Sequence, residues 1–158
     1  HIALAAPERV TRLVLVSCSA GIEDPHERSA RRETDGQLAR DLEQEPFDQF
    51  IERWRTQPLF ASEPPAVSEL ARADQRRNNP NALAAVLRGL GAGAMEPLWE
   101  RLGELSMPVT VIAGARDTKY VALGQQMVER LADARLLVDE GGHGLVLENP
   151  AAIARALA

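Results

Sequence analysis

The chain has 158 residues, of which 45% are hydrophobic and only 4% are aromatic, a composition that suits one domain with an aliphatic core. Its net charge of −5 is spread along the chain without a basic block that would bind nucleic acid, and we find no signal peptide and no apolar run near the roughly 18 residues of a transmembrane segment. The single cysteine, Cys18, excludes an internal disulfide and favours a reducing cytoplasm.

The start of the chain predicts the end of a helix followed by a buried strand. Residues 1–6 are apolar and rich in alanine, and Pro7 would end the helix that they form. Residues 10–17 are rich in Val and Leu, which is typical of a strand that is buried on both faces. Gly21 and Pro25 then break this pattern.

The long middle of the chain is more polar and follows a helical pattern. One amphipathic helix is indicated by apolar residues at helical spacing, namely Phe47, Phe50, Ile51 and Trp54. Pro80 lies where a further helix would begin. Three closely spaced glycines, Gly89, Gly91 and Gly93, predict a flexible stretch, and a short helical run follows at residues 98–102.

Beyond Pro108, strands and helices alternate. Apolar residues 109–114 and 136–139 predict two strands, and residues 120–131 and 150–158 predict the helices that follow them.

This order predicts an α/β fold with an inserted segment. Residues 1–23 and 106–158 would form the α/β core, and residues 24–105 would form a helical cap between strands of the sheet. The sequence shows no internal repeat and no low-complexity linker.

The pair Asp117 and His143 carries most of the functional information. Asp117 follows the strand at residues 109–114, and His143 lies among glycines after the strand at residues 136–139. Because parallel strands end at one edge of a sheet, an Asp there can orient a His that acts as a base. The alternatives are that His143 is an exposed loop residue and that Asp117 caps the next helix, a role compatible with orienting the His.

The nucleophile of such a site is missing from the sequence, because no Ser occurs in a G-x-S-x-G pattern. We therefore interpret the pair as the acid-and-base half of an active site whose nucleophile lies upstream of His1.

Cys18 ends a buried strand without a His nearby in sequence, so we interpret it as core or pocket wall. The histidines lack metal-ligand spacing. The run Glu148-Asn149-Pro150 predicts the start and cap of the last helix.

Several motifs together resemble the α/β-hydrolase fold. In chain order they are Pro7-Glu8-Arg9-Val10 with Leu13-Val14-Leu15, Pro108-Val109 through Gly114 to Asp117, and Gly142-His143 followed by Glu148-Asn149-Pro150. The order Asp then His after the nucleophile is that of this fold. The resemblance implies a partial α/β-hydrolase fold from which the N-terminal strands and the nucleophile elbow are missing.

Further motifs lie in the predicted cap and after the second strand. They are Ser17-Cys18-Ser19-Ala20-Gly21-Ile22, Glu27-Arg28 with Arg31-Arg32 and Asp35, Trp54 with Gln57-Pro58-Leu59-Phe60-Ala61, Arg76-Arg77-Asn78-Asn79, Leu87-Arg88-Gly89-Leu90-Gly91 with Gly93, Pro97-Leu98-Trp99 and Asp117-Thr118-Lys119-Tyr120. Together, from His1 to Ala158, the motifs resemble one family within that fold, the 2-succinyl-6-hydroxy-2,4-cyclohexadiene-1-carboxylate synthases of menaquinone biosynthesis. This resemblance implies a lyase that eliminates pyruvate by proton abstraction with a Ser-His-Asp triad.

The resemblance also implies substrate-binding roles. Arg31 matches an Arg that contacts a substrate carboxylate, although the ordinary interpretation is a charge on a solvated helix face that contributes little to stability. Trp54 could wall the pocket or pack in the core. Arg76 is preferred over its neighbour Arg77, and Lys119 could add positive potential at the sheet edge.

The resemblance implies a small substrate with several carboxylates, no cofactor and no metal. The intact protein would be a cytoplasmic monomer or homodimer. Two alternatives remain open, namely a serine hydrolase of the same fold that acts on an ester or a carbon–carbon bond, and a catalytically inactive fragment. Inward-facing arginines favour the anionic substrate, whereas an apolar pocket favours the hydrolase.

Overall fold

The computed structural model describes all residues from His1 to Ala158, which fold into two compact units. The first, called the sheet unit, comprises His1–Ala20, Ser62–Pro64 and Leu98–Ala158. The second, called the helical unit, comprises Gly21–Ala61 and Pro65–Pro97. The predicted alternation of α and β elements is confirmed in the sheet unit, and the predicted helical character of the middle of the chain is confirmed in the helical unit.

The sheet has three parallel strands in the order β1-β2-β3, with β1 at Leu13–Val16, β2 at Val109–Gly114 and β3 at Ala134–Asp139. In register, Leu13 lies opposite Val109, which in turn lies opposite Ala134. All six residues of β2 are buried, as expected for a central strand that is covered on both faces.

Two apolar clusters cover the two faces of the sheet. Because successive side chains of a strand point to opposite faces, Val111 and Ile112 of β2 enter different clusters. The cluster around Val111 includes Trp99 and Met127, and the cluster around Ile112 includes Leu145 and residues of the last helix. The core of the sheet unit is mainly aliphatic, as the composition predicted.

The first predicted strand is shorter and less buried than expected. We predicted a strand at residues 10–17 that is buried on both faces, whereas β1 covers only Leu13–Val16 and its four residues are half-buried. The physical reason is position, since β1 has a sheet neighbour, β2, on one side only.

Eight α-helices accompany the strands. Their bounds are α1 Ile2–Ala5, α2 Pro25–Gln44, α3 Phe47–Trp54, α4 Pro65–Gln75, α5 Pro80–Leu90, α6 Thr118–Val128, α7 Leu145–Glu148 and α8 Pro150–Leu157. Shorter 3-10 turns lie at Pro7–Arg9, Pro58–Phe60 and Trp99–Glu104. None of the helices combines the length and the apolar character that crossing a membrane requires.

Helix α3 confirms the amphipathic pattern predicted around Phe50. Phe50 and Ile51 are buried, and the ring of Phe50 stacks on that of Trp54 with centroids 6.1 Å apart. This face packs in a cluster with Leu42 of α2 and Ala84 of α5, which is the core of the helical unit. The predicted helix start at Pro80 is also confirmed, because Pro80 is the first residue of α5 and the side chain of Asn79 caps it.

The three glycines predicted as a flexible stretch lie partly in a helix and partly against one. Helix α5 continues through Gly89 to Leu90, and Gly93 lies against α2, where a Cβ atom would overlap the backbone of Arg32. The glycine at this position permits close packing of two backbone segments, and the carbonyl of Gly93 accepts a hydrogen bond from Arg32 at 3.1 Å.

Candidate active site

The site lies at the carboxyl end of the sheet, where β2 and β3 end side by side. Asp117 is the third residue after the end of β2 and lies in a turn, where its backbone N–H donates to the carbonyl of Gly114 at 2.9 Å. His143 follows β3 in a loop that precedes α7. Because the two strands are parallel neighbours, their trailing loops are adjacent in space.

The predicted contact between Asp117 and His143 is confirmed. A carboxylate oxygen of Asp117 lies 2.8 Å from Nδ1 of His143, within ordinary hydrogen-bond distance. An ionised carboxylate only accepts hydrogen bonds, so Nδ1 is the donor and Nε2 keeps its lone pair. The Asp117 side chain is 4% exposed and that of His143 is 24% exposed. The buried carboxylate of Asp117 therefore holds the imidazole of His143, and the other ring nitrogen, Nε2, is free to accept a proton.

The alternative role of Asp117 as a side-chain helix cap is not what the structure has. Asp117 occupies the N-cap position of α6, but its side chain makes no capping hydrogen bond. The carboxylate is directed to His143 instead, and the backbone carbonyl of Asp117 accepts the first helical hydrogen bond, from Val121 at 3.0 Å. The alternative of an exposed loop His is also wrong, because His143 is only partly exposed and has Asp117 as a partner.

Tyr120 is a neighbour of the pair that the sequence did not predict. Its ring lies 4.6 Å from the imidazole of His143, centroid to centroid, at an angle of 45°. Tyr120 lies one helical turn after Asp117 in α6, which is the signal that could have identified it. Nζ of Lys119 lies 5.8 Å from the centre of the Tyr120 ring.

Arg31 lies in α2 of the helical unit and is half exposed. Its Nε donates to Asp35 at 2.7 Å, and the Asp35 side chain is only 3% exposed. This bond orients the guanidinium but leaves its two terminal nitrogens without a hydrogen bond. Two parallel N–H donors are what a planar carboxylate requires for bidentate binding.

Arg76 is engaged by other side chains of the helical unit. Its Nε donates to Asp48 at 2.8 Å and its Nη2 donates to Glu52 at 3.3 Å. The hydrogen bond that Arg76 donates to Asp48, followed by the charges of Asp48 and Glu52, raises the pKa of Arg76. Arg77 is more exposed and lies 3.5 Å from Asp74. An anionic ligand of Arg76 would therefore have to displace carboxylates that are already bound.

Trp54 packs in the core of the helical unit and also lines a cavity of about 250 Å³. Eight of the ten residues that line this cavity are apolar, and neither Arg31 nor Arg76 is among them. Both interpretations of Trp54, core packing and cavity wall, therefore hold for the structure, and the cavity that it lines is apolar.

Cys18 is half-buried among apolar side chains of the sheet unit. Burial raises the pKa of its thiol, which disfavours the reactive thiolate. No group of three or more His, Cys, Asp or Glu side chains is arranged to hold a metal ion.

No protein-family model matches the chain. A Klebsiella pneumoniae 2-succinyl-6-hydroxy-2,4-cyclohexadiene-1-carboxylate synthase is 33% identical over 146 residues, which covers 92% of this chain and 56% of that protein. A Bacillus subtilis protein that bears the same name provisionally is 34% identical over 152 residues, which covers 94% of this chain and 56% of that protein. The chain therefore spans just over half the length of these relatives.

Solved structures also match the chain over nearly its whole length. MenH from S. aureus superposes with a TM-score of 0.90 at 26% identity, covering 99% of this chain and 62% of that protein. A thermophilic esterase from Thermogutta terrifontis superposes with a TM-score of 0.80 at 20% identity over 98% of this chain and 57% of its own, a likeness that concerns the fold alone. Over nearly its whole length, the chain is thus a homologue of the 2-succinyl-6-hydroxy-2,4-cyclohexadiene-1-carboxylate synthases and has part of an α/β-hydrolase fold.

Proposed function

We propose that this chain is part of a lyase of menaquinone biosynthesis that eliminates pyruvate and leaves 2-succinyl-6-hydroxy-2,4-cyclohexadiene-1-carboxylate. The observation that supports the proposal most is the 2.8 Å contact between Asp117 and His143 in a homologue of synthases of that name. We assign the sheet unit to the catalytic core and the helical unit to substrate binding.

In the proposed mechanism, His143 and Asp117 activate a Ser that lies outside residues 1–158. Nε2 of His143 accepts the hydroxyl proton of this Ser, and its oxygen removes a proton from the substrate carbon beside a ketone. The electron pair of that C–H bond shifts through the ring, and the carbon–oxygen bond to the enolpyruvyl group breaks. The released enolpyruvate takes up a proton to give pyruvate. Asp117 keeps the proton of His143 on Nδ1 and stabilises the imidazolium that forms.

The substrate of this reaction is small and carries several carboxylates, and we propose that Arg31 binds one of them. The terminal nitrogens of Arg31 lack other partners while Asp35 fixes the orientation of the guanidinium, so little rearrangement is needed on binding. Lys119, whose Nζ lies 5.8 Å from the centre of the Tyr120 ring, would add positive potential. Arg76 is the weaker candidate because Asp48 and Glu52 occupy it, and Trp54 would contribute a wall. The reaction needs neither cofactor nor metal.

The second candidate function is a serine hydrolase that acts on a small ester or a carbon–carbon bond. The apolar cavity beside Trp54 favours it, because an apolar pocket suits an uncharged acyl chain better than a multi-carboxylate. The same triad would serve this reaction, so the substrate, rather than the Asp117–His143 pair, distinguishes the two functions.

We propose that the full-length protein is a cytoplasmic monomer or homodimer. Measuring the activity of this full-length protein tests the proposed function. Pyruvate release from the pathway substrate should be abolished in His143→Ala, while hydrolysis of short p-nitrophenyl esters should remain slow in the wild type. Fast ester hydrolysis without pyruvate release would establish the hydrolase instead. Neither activity in a folded wild type would favour the inactive alternative.

A further inference from the structure

Glu148 has an environment that the catalytic pair alone does not explain. Its side chain is only 4% exposed. One carboxylate oxygen accepts the backbone N–H of Gly142 at 2.9 Å, and the other accepts a hydrogen bond from Nη2 of Arg116. A buried carboxylate is costly unless its oxygens are bonded, and here each oxygen has a donor.

The two donors are adjacent in sequence to the two members of the pair. Arg116 immediately precedes Asp117, and Gly142 immediately precedes His143. Glu148 therefore joins, through one side chain, the loop that carries the acid and the loop that carries the base. Its two hydrogen bonds are thus made to the residues that immediately precede Asp117 and His143, whose side chains lie 2.8 Å apart.

Backbone contacts connect the same loops but do not hold the amide of Gly142. The N–H of Arg116 donates to the carbonyl of Gly141 at 2.9 Å. Gly114, at the end of β2, has no room for a side chain, because a Cβ atom would overlap the carbonyl oxygens of Gly141 and Gly142. The loops thus approach as closely as backbones permit, and Glu148 provides the bond to the residue that precedes His143.

The short helix α7 explains how Glu148 reaches this position. It occupies one turn, Leu145–Glu148, and the N–H of Glu148 donates to the carbonyl of Gly144 at 3.0 Å. This turn returns the side chain to the start of the His143 loop. The prediction that the run Glu148-Asn149-Pro150 starts and caps the last helix is confirmed, because Pro150 is the first residue of α8 and the side chain of Asn149 caps it. Glu148 itself makes no capping hydrogen bond, and its carboxylate is directed to Gly142 and Arg116 instead.

We propose that Glu148 is a positioning residue for the reaction, with Arg116 as its anchor. The carboxylate fixes the backbone before His143 and thereby keeps Nδ1 in line with Asp117. The consequence for turnover rests on the proposed function, whereas the consequence for the geometry of His143 does not.

The test compares Glu148→Ala and Glu148→Gln in the full-length protein. The Gln variant keeps an oxygen for the Gly142 N–H but loses the charge that pairs with Arg116, so kcat should fall about 3- to 10-fold. The Ala variant loses both bonds, so kcat should fall about 30- to 100-fold, within the range that misplacement of a catalytic group produces. KM should change less than threefold, because Glu148 binds no substrate.

Two spectroscopic measurements follow the geometry directly. In the wild type, the Nδ1 proton of His143 should give a downfield proton resonance. This signal should weaken in Glu148→Gln and broaden or disappear in Glu148→Ala. Exchange of the Gly142 amide hydrogen should accelerate in the same order. These measurements remain decisive if the wild type releases no pyruvate, a result that would refute the proposed function but not the positioning role.

Ile153→Ala is the matched control for general destabilisation, because Ile153 packs against the apolar cluster that contains Leu145 and is not a member of the catalytic pair. It should lower the melting temperature while leaving kcat and the His143 signal close to wild type. Should Glu148→Ala fail to fold, Glu148→Gln carries the test. An unchanged His143 signal with kcat within twofold of wild type in the folded Glu148 variants would overturn the proposal, as would equal losses in Ile153→Ala.

Discussion

Arg31→Ala should lower the activity of the full-length enzyme strongly and its stability measurably. In the proposed function, Arg31 binds a substrate carboxylate, and a charge-assisted hydrogen bond of this kind is worth about 1.5–3 kcal/mol. Its loss corresponds to a decrease in kcat/KM of roughly 10- to 150-fold. Arg31→Lys should recover only part of this, since an ammonium keeps the charge but lacks the two parallel donors.

The effect on stability follows from Asp35. From the sequence, a solvated Arg31 was expected to contribute little to stability, but the structure pairs it with a carboxylate that is 3% exposed. A buried group left without a partner costs about 1–3 kcal/mol. Arg31 is 44% exposed, so water can replace part of the bond, and Gly93 N–H still lies 3.4 Å from the other Asp35 oxygen. We therefore expect a loss of about 1 kcal/mol, or roughly 2–4 °C in Tm.

Asp35→Asn is the matched control for this prediction. It removes the charge that pairs with Arg31 but keeps the guanidinium and an amide oxygen that can still accept the hydrogen bond from its Nε. It should therefore lower Tm and should lower kcat/KM much less than Arg31→Ala does. Steady-state pyruvate release and a thermal melt measure the two effects separately. An unchanged kcat/KM in Arg31→Ala, accompanied by the lower Tm, would show that Arg31 serves Asp35 and not the substrate.

Three further predictions concern the sheet unit. Asp117→Asn should lower kcat in the full-length enzyme by about 10³- to 10⁴-fold with little change in Tm, because the amide favours the wrong tautomer of His143; steady-state rates above a tenth of wild type would refute this. Residues 1–158 alone should release no pyruvate in a coupled assay, and robust turnover would instead place the nucleophile within these residues. Light scattering should show that they associate through the free edges of β1 and β3. Because burial raises the pKa of Cys18, iodoacetamide should label it at pH 8 more slowly than free cysteine, and labelling at the rate of free cysteine would contradict the half-buried position.

The sheet was predictable where burial on both faces leaves a continuous apolar run. Residues 109–114 were predicted as a strand and form β2, and the parallel connection was enough to bring Asp117 and His143 together. Glu148 was missed for the opposite reason. Helix α7 has only four residues, too few to show a helical period, and its function depends on a bond back to Gly142 that no local pattern encodes.

The arginines show why the sequence did not rank the binding candidates. Arg31 finds its partner four residues away on its own helix, a spacing that can be read from the sequence. Arg76 finds Asp48 and Glu52, which lie 28 and 24 residues away on α3. Whether a guanidinium keeps free donors therefore depends on which carboxylates tertiary folding brings to it. Arg31 keeps two terminal nitrogens unbound after pairing, whereas Arg76 is bound through both Nε and Nη2, so an anion binds Arg31 at a lower cost in broken contacts.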